Sequence, residues 1–183
     1  SRRQRQMCIR DRLLMALSNK YGSMLLTTGN KSEIAVGYST IYGDMCGGYN
    51  PIKDLYKTRL YSICEWRNSC HEAWMKGPNG LVIPKSILEK SPTAELRPNQ
   101  TDQDSLPPYE VLDSILESLI ENDMPISEIV KKGYDYNIVK KIEKLVYQSE
   151  YKRFQSAPGV HLTKKSFQLS RRYPIVQNWR DKL

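Results

Sequence analysis

The sequence predicts an α/β protein, mostly helical in the part present, organised around one strand of a parallel sheet. Three observations predict it. Met24-Leu25-Leu26 is an apolar run without alternation, the pattern of a strand buried on both faces. It feeds a polar, glycine-bearing turn, Thr27-Thr28-Gly29-Asn30, and then a short amphipathic segment from Lys31. Most of the remaining chain carries helical rather than alternating apolar spacing. In open α/β sheets, ligands sit where strand carboxyl ends meet helix amino ends. Hydroxyls, an amide, a lysine and a carboxylate lie within the seven residues Thr27–Glu33, so this stretch reads as half of a nucleotide site.

The elements follow in order. Residues 1–12 read unlike the rest, as a non-native or disordered lead-in. Leu13–Lys20 has helix formers and an apolar face at Leu13, Leu14 and Leu17, and Gly22 suits its C-cap. Ser23–Thr28 is the strand. Ser32–Val36 begins a short helix capped by Asn30 or Ser32. Gly43, Gly47 and Gly48 make 43–50 a loop. A helix spans about Leu55 to Ser69, with a stripe of Leu55, Leu60, Ile63, Cys64 and Trp66. Pro84–Lys90 is a short helix, and Ser91–Pro108 is a long mobile loop. Tyr109–Glu121 is a clear amphipathic helix. A short helix then ends at Gly133, and another, capped by Asp135, runs to about Phe154. The domain body is placed at 13–157. Residues 158–183 form a basic tail with Phe167, Tyr173, Ile175 and Trp179 as anchors.

Composition limits the classes. At 183 residues the chain is long enough for a sizeable core. No apolar run reaches the ~20 residues that span a bilayer, and the start lacks a signal peptide's apolar stretch. The net charge is +8, but residues 1–12 hold +4, residues 150–183 hold +6 and the body between holds −2. A near-neutral body argues against a nucleic-acid partner. Cys8, Cys46, Cys64 and Cys70 fit no zinc spacing, and Cys70-His71 are neighbours without a nucleophile–base geometry. Free thiols suit a reducing, cytoplasmic setting.

The stretch LLTTGNKSEIAVGYSTIYGD resembles the signature region of the NAD synthetases, in the N-type ATP pyrophosphatase group. Four further segments match in order: Pro51–Thr58, Ser91–Leu96, Asp102–Asp113 and Glu150–Arg153. The tail, SAPGVHLTKKSF followed by RRYPIV, is similar to the long, glutamine-dependent forms. The resemblance covers about residues 13–183. It implies a truncated Rossmann-like (adenine nucleotide alpha-hydrolase-like) parallel-sheet domain. It also implies an ATP-dependent ligase that amidates deamido-NAD to NAD through an acyl-adenylate. Ammonia would come from an N-terminal glutaminase domain, and the full-length protein would be a homo-oligomer.

Site residues follow from the same resemblance. Mg²⁺ wants carboxylate oxygen, and Glu33 matches the metal-binding Glu, which also faces deamido-NAD. Thr28, Lys57 and Thr93 match residues that contact ATP, with Lys57 neutralising phosphate charge during the reaction. Tyr38, Ser39, Thr40, Ile41 and Asp44 match the part that meets deamido-NAD. Asp44 is similar to an acid that holds or deprotonates ammonium, since NH₄⁺ is no nucleophile until it loses a proton. Lys152 matches a lysine beside the substrate. One departure stands out: a Ser-Gly-Gly-x-Asp-Ser phosphate loop is absent from this sequence, so the 183-residue chain alone is expected to be inactive and weak at binding ATP. Two alternatives stay open. One is an inactive nucleotide-binding or helical interaction fragment. The other is a single-strand nucleic-acid binder using Tyr151, Phe154, Phe167 and Tyr173.

Overall fold

The computed structural model describes residues 2–93 and 101–181. Its helices are α1 (Arg2–Tyr21), α2 (Lys31–Val36), α3 (Lys57–Ser69), α4 (Lys85–Leu88), α5 (Tyr109–Leu116), α6 (Ile126–Lys131), α7 (Tyr136–Gln148) and α8 (Glu150–Phe154). The core sits where α2, α5 and α7 meet. Ala35, Leu112, Ile115, Leu116, Val139 and Ile142 are fully enclosed there. Residues three and four apart on α5 share one face, so Leu112, Ile115 and Leu116 bury together. The helix then widens into a π-helical turn over Glu117–Glu121, closed by Asn122 N donating to Glu117 O at 3.2 Å. Ser118, Ile120 and Glu121 of this wide turn are all buried.

The expected helices over 109–121 and 136–148 are present, and Asp135 caps α7 by accepting from Ile138 N at 3.0 Å. The helix expected to reach Phe154 instead stops at Gln148, and α8 restarts at Glu150. α4 falls inside the short helix expected at 84–90.

Further expectations differ from the structure. The strand expected at 23–28 makes one parallel bridge, Leu26 to Tyr49, and no extended strand forms among the described residues. Thr27 N donates to Tyr49 O and Gly48 N to Leu25 O, each at 2.9 Å. A second parallel bridge joins Asn50 to Gly159. Met24 and Leu26 stay exposed, because a parallel strand is buried only when neighbours cover both faces. α1 runs from Arg2 to Tyr21, so the helix expected over 13–20 begins earlier than the apolar pattern marks. The apolar stripe of α3 is only partly covered: no residue of that helix is enclosed, Leu60 and Cys64 are half-buried, and Ile63 and Trp66 are exposed. In the tail Phe167 joins the core, while Ile175 is exposed.

Part of the loop expected at 91–108, residues 94–100, lies outside the described residues. The described part is tied down. Asp102 N donates to Pro92 O at 3.0 Å, and Thr101–Asp104 form a capped 3₁₀ turn. Tyr109 OH donates to the buried Asp102 carboxylate at 2.7 Å. No helix among the described residues is long and apolar enough to cross a membrane.

Candidate functional site

The first turn of α2 builds the site. Asn30 is extended (φ −86°, ψ 171°) and its side chain accepts from Glu33 N at 3.0 Å. Glu33 Oε2 in return accepts from Asn30 N at 3.2 Å. This reciprocal capping box satisfies two donors that a helix start leaves open. It also fixes Glu33 on the side facing α3. There Glu33 Oε1 lies 3.2 Å from Lys57 Nζ. Burial pushes the Glu33 carboxyl up, and the Lys57 ammonium pulls the other way.

Ser32 and Asp113 lock the two helices in place. Ser32 Oγ donates to Asp113 Oδ1 at 2.5 Å and accepts from Lys57 N at 2.9 Å. Asp113 Oδ2 accepts from Thr58 N and Thr58 Oγ1, both at 2.9 Å. Asp113, presented by α5, therefore caps α3, which has no cap of its own. Burial pushes its carboxyl up. The rings of Tyr109 and Tyr61 flank the Lys57 ammonium at 5.5 and 6.0 Å.

A second cluster lies past the other end of α2. Gly37 closes the helix in the left-handed region (φ 70°), with its N–H on Glu33 O. The chain then turns through Tyr38–Asp44, where Asp44 Oδ1 accepts from Thr40 N at 2.6 Å. Lys152 Nζ donates to Gly37 O at 2.7 Å and Ser39 O at 2.8 Å. Burial pulls the Lys152 ammonium down, and the nearby Asp44 charge opposes that. Beneath it, fully enclosed Arg153 donates to Ala35 O at 2.7 Å and pairs with Glu150 Oε2 at 2.7 Å. It thereby satisfies a carbonyl at the end of α2.

The sequence-derived residues thus fall into two groups. Glu33 and Lys57 form one. Ser39, Thr40, Asp44 and Lys152 form the other, with Tyr38 packed against the core and Ile41 half-buried in the same turn. Thr28 is exposed just before the cap. Thr93 is half-buried at the edge of the described residues. Sequence reasoning missed Asp113, Arg153, Tyr109 and the roles of Ser32 and Lys31. Lysine and serine closely preceding the apolar run Ile34-Ala35-Val36 in a six-residue helix were the available signal for the last two.

Among the described residues no group of three or more His, Cys, Asp or Glu could hold a metal. Mg²⁺ commonly takes one or two carboxylates plus substrate phosphates. Glu33 fits one such place. Both its oxygens make only 3.2 Å contacts, and it is partly open to solvent. Cys46, Cys64 and Cys70 are free thiols.

The fold and the capped turn first define a class. The chain superposes on a glutamine-dependent NAD(+) synthetase from Cytophaga hutchinsonii with a TM-score of 0.70, at 24% identity, over 95% of this chain and 28% of that one. That likeness establishes a shared fold. Residues 3–156 match the NAD synthase family, and the chain belongs to that family. It is 64% identical over 173 residues to the glutamine-dependent NAD(+) synthetase of Rhodobacter capsulatus, covering 94% of this chain and 31% of that protein. It is 51% identical over 167 residues to the protein of that name from Xanthomonas campestris, covering 91% of this chain and 29% of that protein. The chain thus spans about three tenths of the length of these relatives.

Proposed function

We propose that the chain is the C-terminal part of the synthetase domain of a glutamine-dependent NAD(+) synthetase, carrying one half of its nucleotide site. The observation that carries this reading is the Glu33–Lys57 pair, set by a capping box on α2 and by Asp113 of α5, which caps α3. It places one carboxylate and one ammonium side by side, as a metal–triphosphate ligand requires.

In the reaction, a carboxylate oxygen of deamido-NAD attacks the α-phosphorus of ATP. The new O–P bond forms as the α–β bridging P–O bond breaks, releasing pyrophosphate. Ammonia then attacks the acyl carbon, the C–O bond breaks, and the nitrogen gives one proton to the departing phosphate, releasing AMP and leaving the amide. Lys57 neutralises phosphate oxygens, the Thr93 hydroxyl donates to them, and Thr28 contacts ATP. Glu33 would hold Mg²⁺, which supplies positive charge to the phosphate oxygens when bound. The turn Tyr38-Ser39-Thr40-Ile41 receives deamido-NAD, with Lys152 fixing its backbone from behind. Asp44 takes the proton that ammonium must lose. Ammonia reaches the site from a glutaminase domain of the whole protein, which is cytoplasmic and homo-oligomeric in this reading. The 183-residue chain alone forms no NAD, because it holds no Ser-Gly-Gly-x-Asp-Ser loop.

Calorimetric titration of the purified chain tests this. Deamido-NAD with Mg²⁺–ATP binds in preference to a generic oligonucleotide, and Lys57→Met weakens the ATP component. Salt-dependent oligonucleotide binding without nucleotide binding refutes the reading. Measurable NAD formation by the chain alone refutes its inactivity.

A further inference from the structure

A buried charge knot lies two residues before Glu33. Lys31 opens α2, and its side chain is fully enclosed. Its ammonium meets Asp54 Oδ1 at 2.9 Å and Glu121 Oε1 at 2.5 Å. It also donates to Thr163 Oγ1, and to Lys165 O at 2.7 Å. The rings of Tyr56 and Phe167 flank it at 5.0 and 5.9 Å.

Two carboxylates against one ammonium leave an excess negative charge away from water, which is costly without further donors. Segment 162–165 supplies them. Asp54 Oδ2 accepts from Leu162 N at 2.7 Å, Thr163 N at 2.8 Å and Thr163 Oγ1 at 2.9 Å. Glu121 Oε2 accepts from Lys165 N at 2.7 Å. The Thr163 hydroxyl therefore bridges the Lys31 ammonium and the Asp54 carboxylate. A segment distant in sequence completes the knot.

Three consecutive side chains of α2 now have separate tethers. Lys31 is tied into the knot, Ser32 to Asp113 and Lys57, and Glu33 to Lys57 and Asn30. α2 has only six residues, too few to hold its own shape without tertiary contacts. We propose that Thr163, acting through Lys31 and Asp54, is a positioning residue for the Glu33–Lys57 pair, so that the docked C-terminal segment sets the geometry of the site. The coupling rests on the proposed function only in calling that pair the ATP end of the site.

Amide hydrogen exchange on the 183-residue chain tests it, with Thr163→Val removing the bridging hydroxyl and Thr163→Ser restoring it. Exchange at Ser32–Val36 accelerates about tenfold in Thr163→Val, the size expected for one buried polar group left unmade. Exchange in α5 and α7 stays at the wild-type rate, and Thr163→Ser brings α2 back. Unchanged α2 exchange in a folded Thr163→Val chain overturns the proposal. So does an equal acceleration of α2, α5 and α7, which a loss of global stability alone produces. Should Thr163→Val not fold, Thr163→Ala keeps the backbone donors to Asp54 and is read on the same amides. Mg²⁺–ATP titration separates the two ideas. A chain that binds no ATP yet shows the localised α2 response refutes the proposed function and supports the coupling. Binding with α2 exchange unaltered does the reverse.

Discussion

Gly37→Ala probes the hinge between the two halves of the site. Gly37 closes α2 at φ 70°, where an alanine costs about 1–2 kcal/mol from its own backbone. A Cβ there would lie 2.8 Å from Ser149 Cβ and closer still to Ser149 Oγ. The hydroxyl could swing away only by giving up its 2.6 Å bond to Leu145 O, and the Cβ cannot swing at all. Overpacking of this kind costs about 1–3 kcal/mol. The two contributions sum to ~2–5 kcal/mol, a large share of a typical domain's stability. Urea unfolding at 25 °C reads the total, and a double-mutant cycle with Ser149→Gly separates the parts. The double variant recovers the steric part and keeps the backbone part. A Gly37→Ala chain within ~0.5 kcal/mol of wild type, the noise expected of a neutral surface change, refutes the reasoning. Because Gly37 O accepts from Lys152, the same substitution displaces the 38–44 turn and weakens deamido-NAD binding in titration.

Two other outcomes follow from single contacts. Asp113→Asn turns one acceptor oxygen into a donor facing Ser32 Oγ or the Thr58 donors; urea unfolding should show a loss of ~1–3 kcal/mol, and Lys57 amide exchange should quicken. Burial pulls the Lys53 amine down to about 8 while Asp54 opposes it. Between pH 8 and 10 the unfolded chain therefore binds more protons at Lys53 than the folded one, and this residue makes stability rise with pH. Lys53→Met removes that rise, and the difference in slope between the two chains, measured by urea unfolding across this window, is the test.

Legibility in the sequence followed the range of the interactions. The Asn30 cap, the end at Gly133 and the Asp135 cap rest on partners within five residues, and the faces of α5 and α7 show as a spacing that repeats within a helical turn. Ser23–Thr28 misled because its apolar run describes a strand with covered faces, whereas Leu26 has one bridge and stands exposed. α3 misled in the same way: its stripe has the right spacing for burial, yet Ile63 and Trp66 face outward. The tethers of the site were illegible for a different reason. Lys31 meets Glu121 and Thr163 across 90 and 132 residues, and Arg153 meets Ala35 across 118. A buried lysine at the start of a short helix is locally a conflict, and only the distant carboxylates resolve it. Tyr173 and Trp179 were legible as anchors, and both stack edge-on against Tyr147, at 4.9 and 5.8 Å. What they pack against was not.

The pairing of Glu33 with Lys57 has a consequence for the order in which ligands enter. Each group neutralises the other at 3.2 Å, so a phosphate drawn to Lys57 must first displace a carboxylate. A divalent cation taken up by Glu33 removes that competition and frees the ammonium. Under the proposed function, metal and nucleotide therefore bind with positive coupling, and Glu33→Gln should raise the ATP affinity in EDTA while lowering it in Mg²⁺. Glutamine keeps the reciprocal cap on Asn30, so α2 stays formed. With the carboxylate gone, Lys57 is free, and ATP in EDTA binds more tightly than to the wild-type chain. The pair is partly open to solvent, so its worth is ~0.5–1 kcal/mol, a gain of roughly two- to fivefold. With Mg²⁺ present the same variant binds ATP more weakly, because the metal has lost its carboxylate. Titrations of both chains in EDTA and in Mg²⁺ give the four affinities. If Glu33→Gln weakens ATP equally in the two conditions, Glu33 serves the fold of α2 alone and the metal assignment fails.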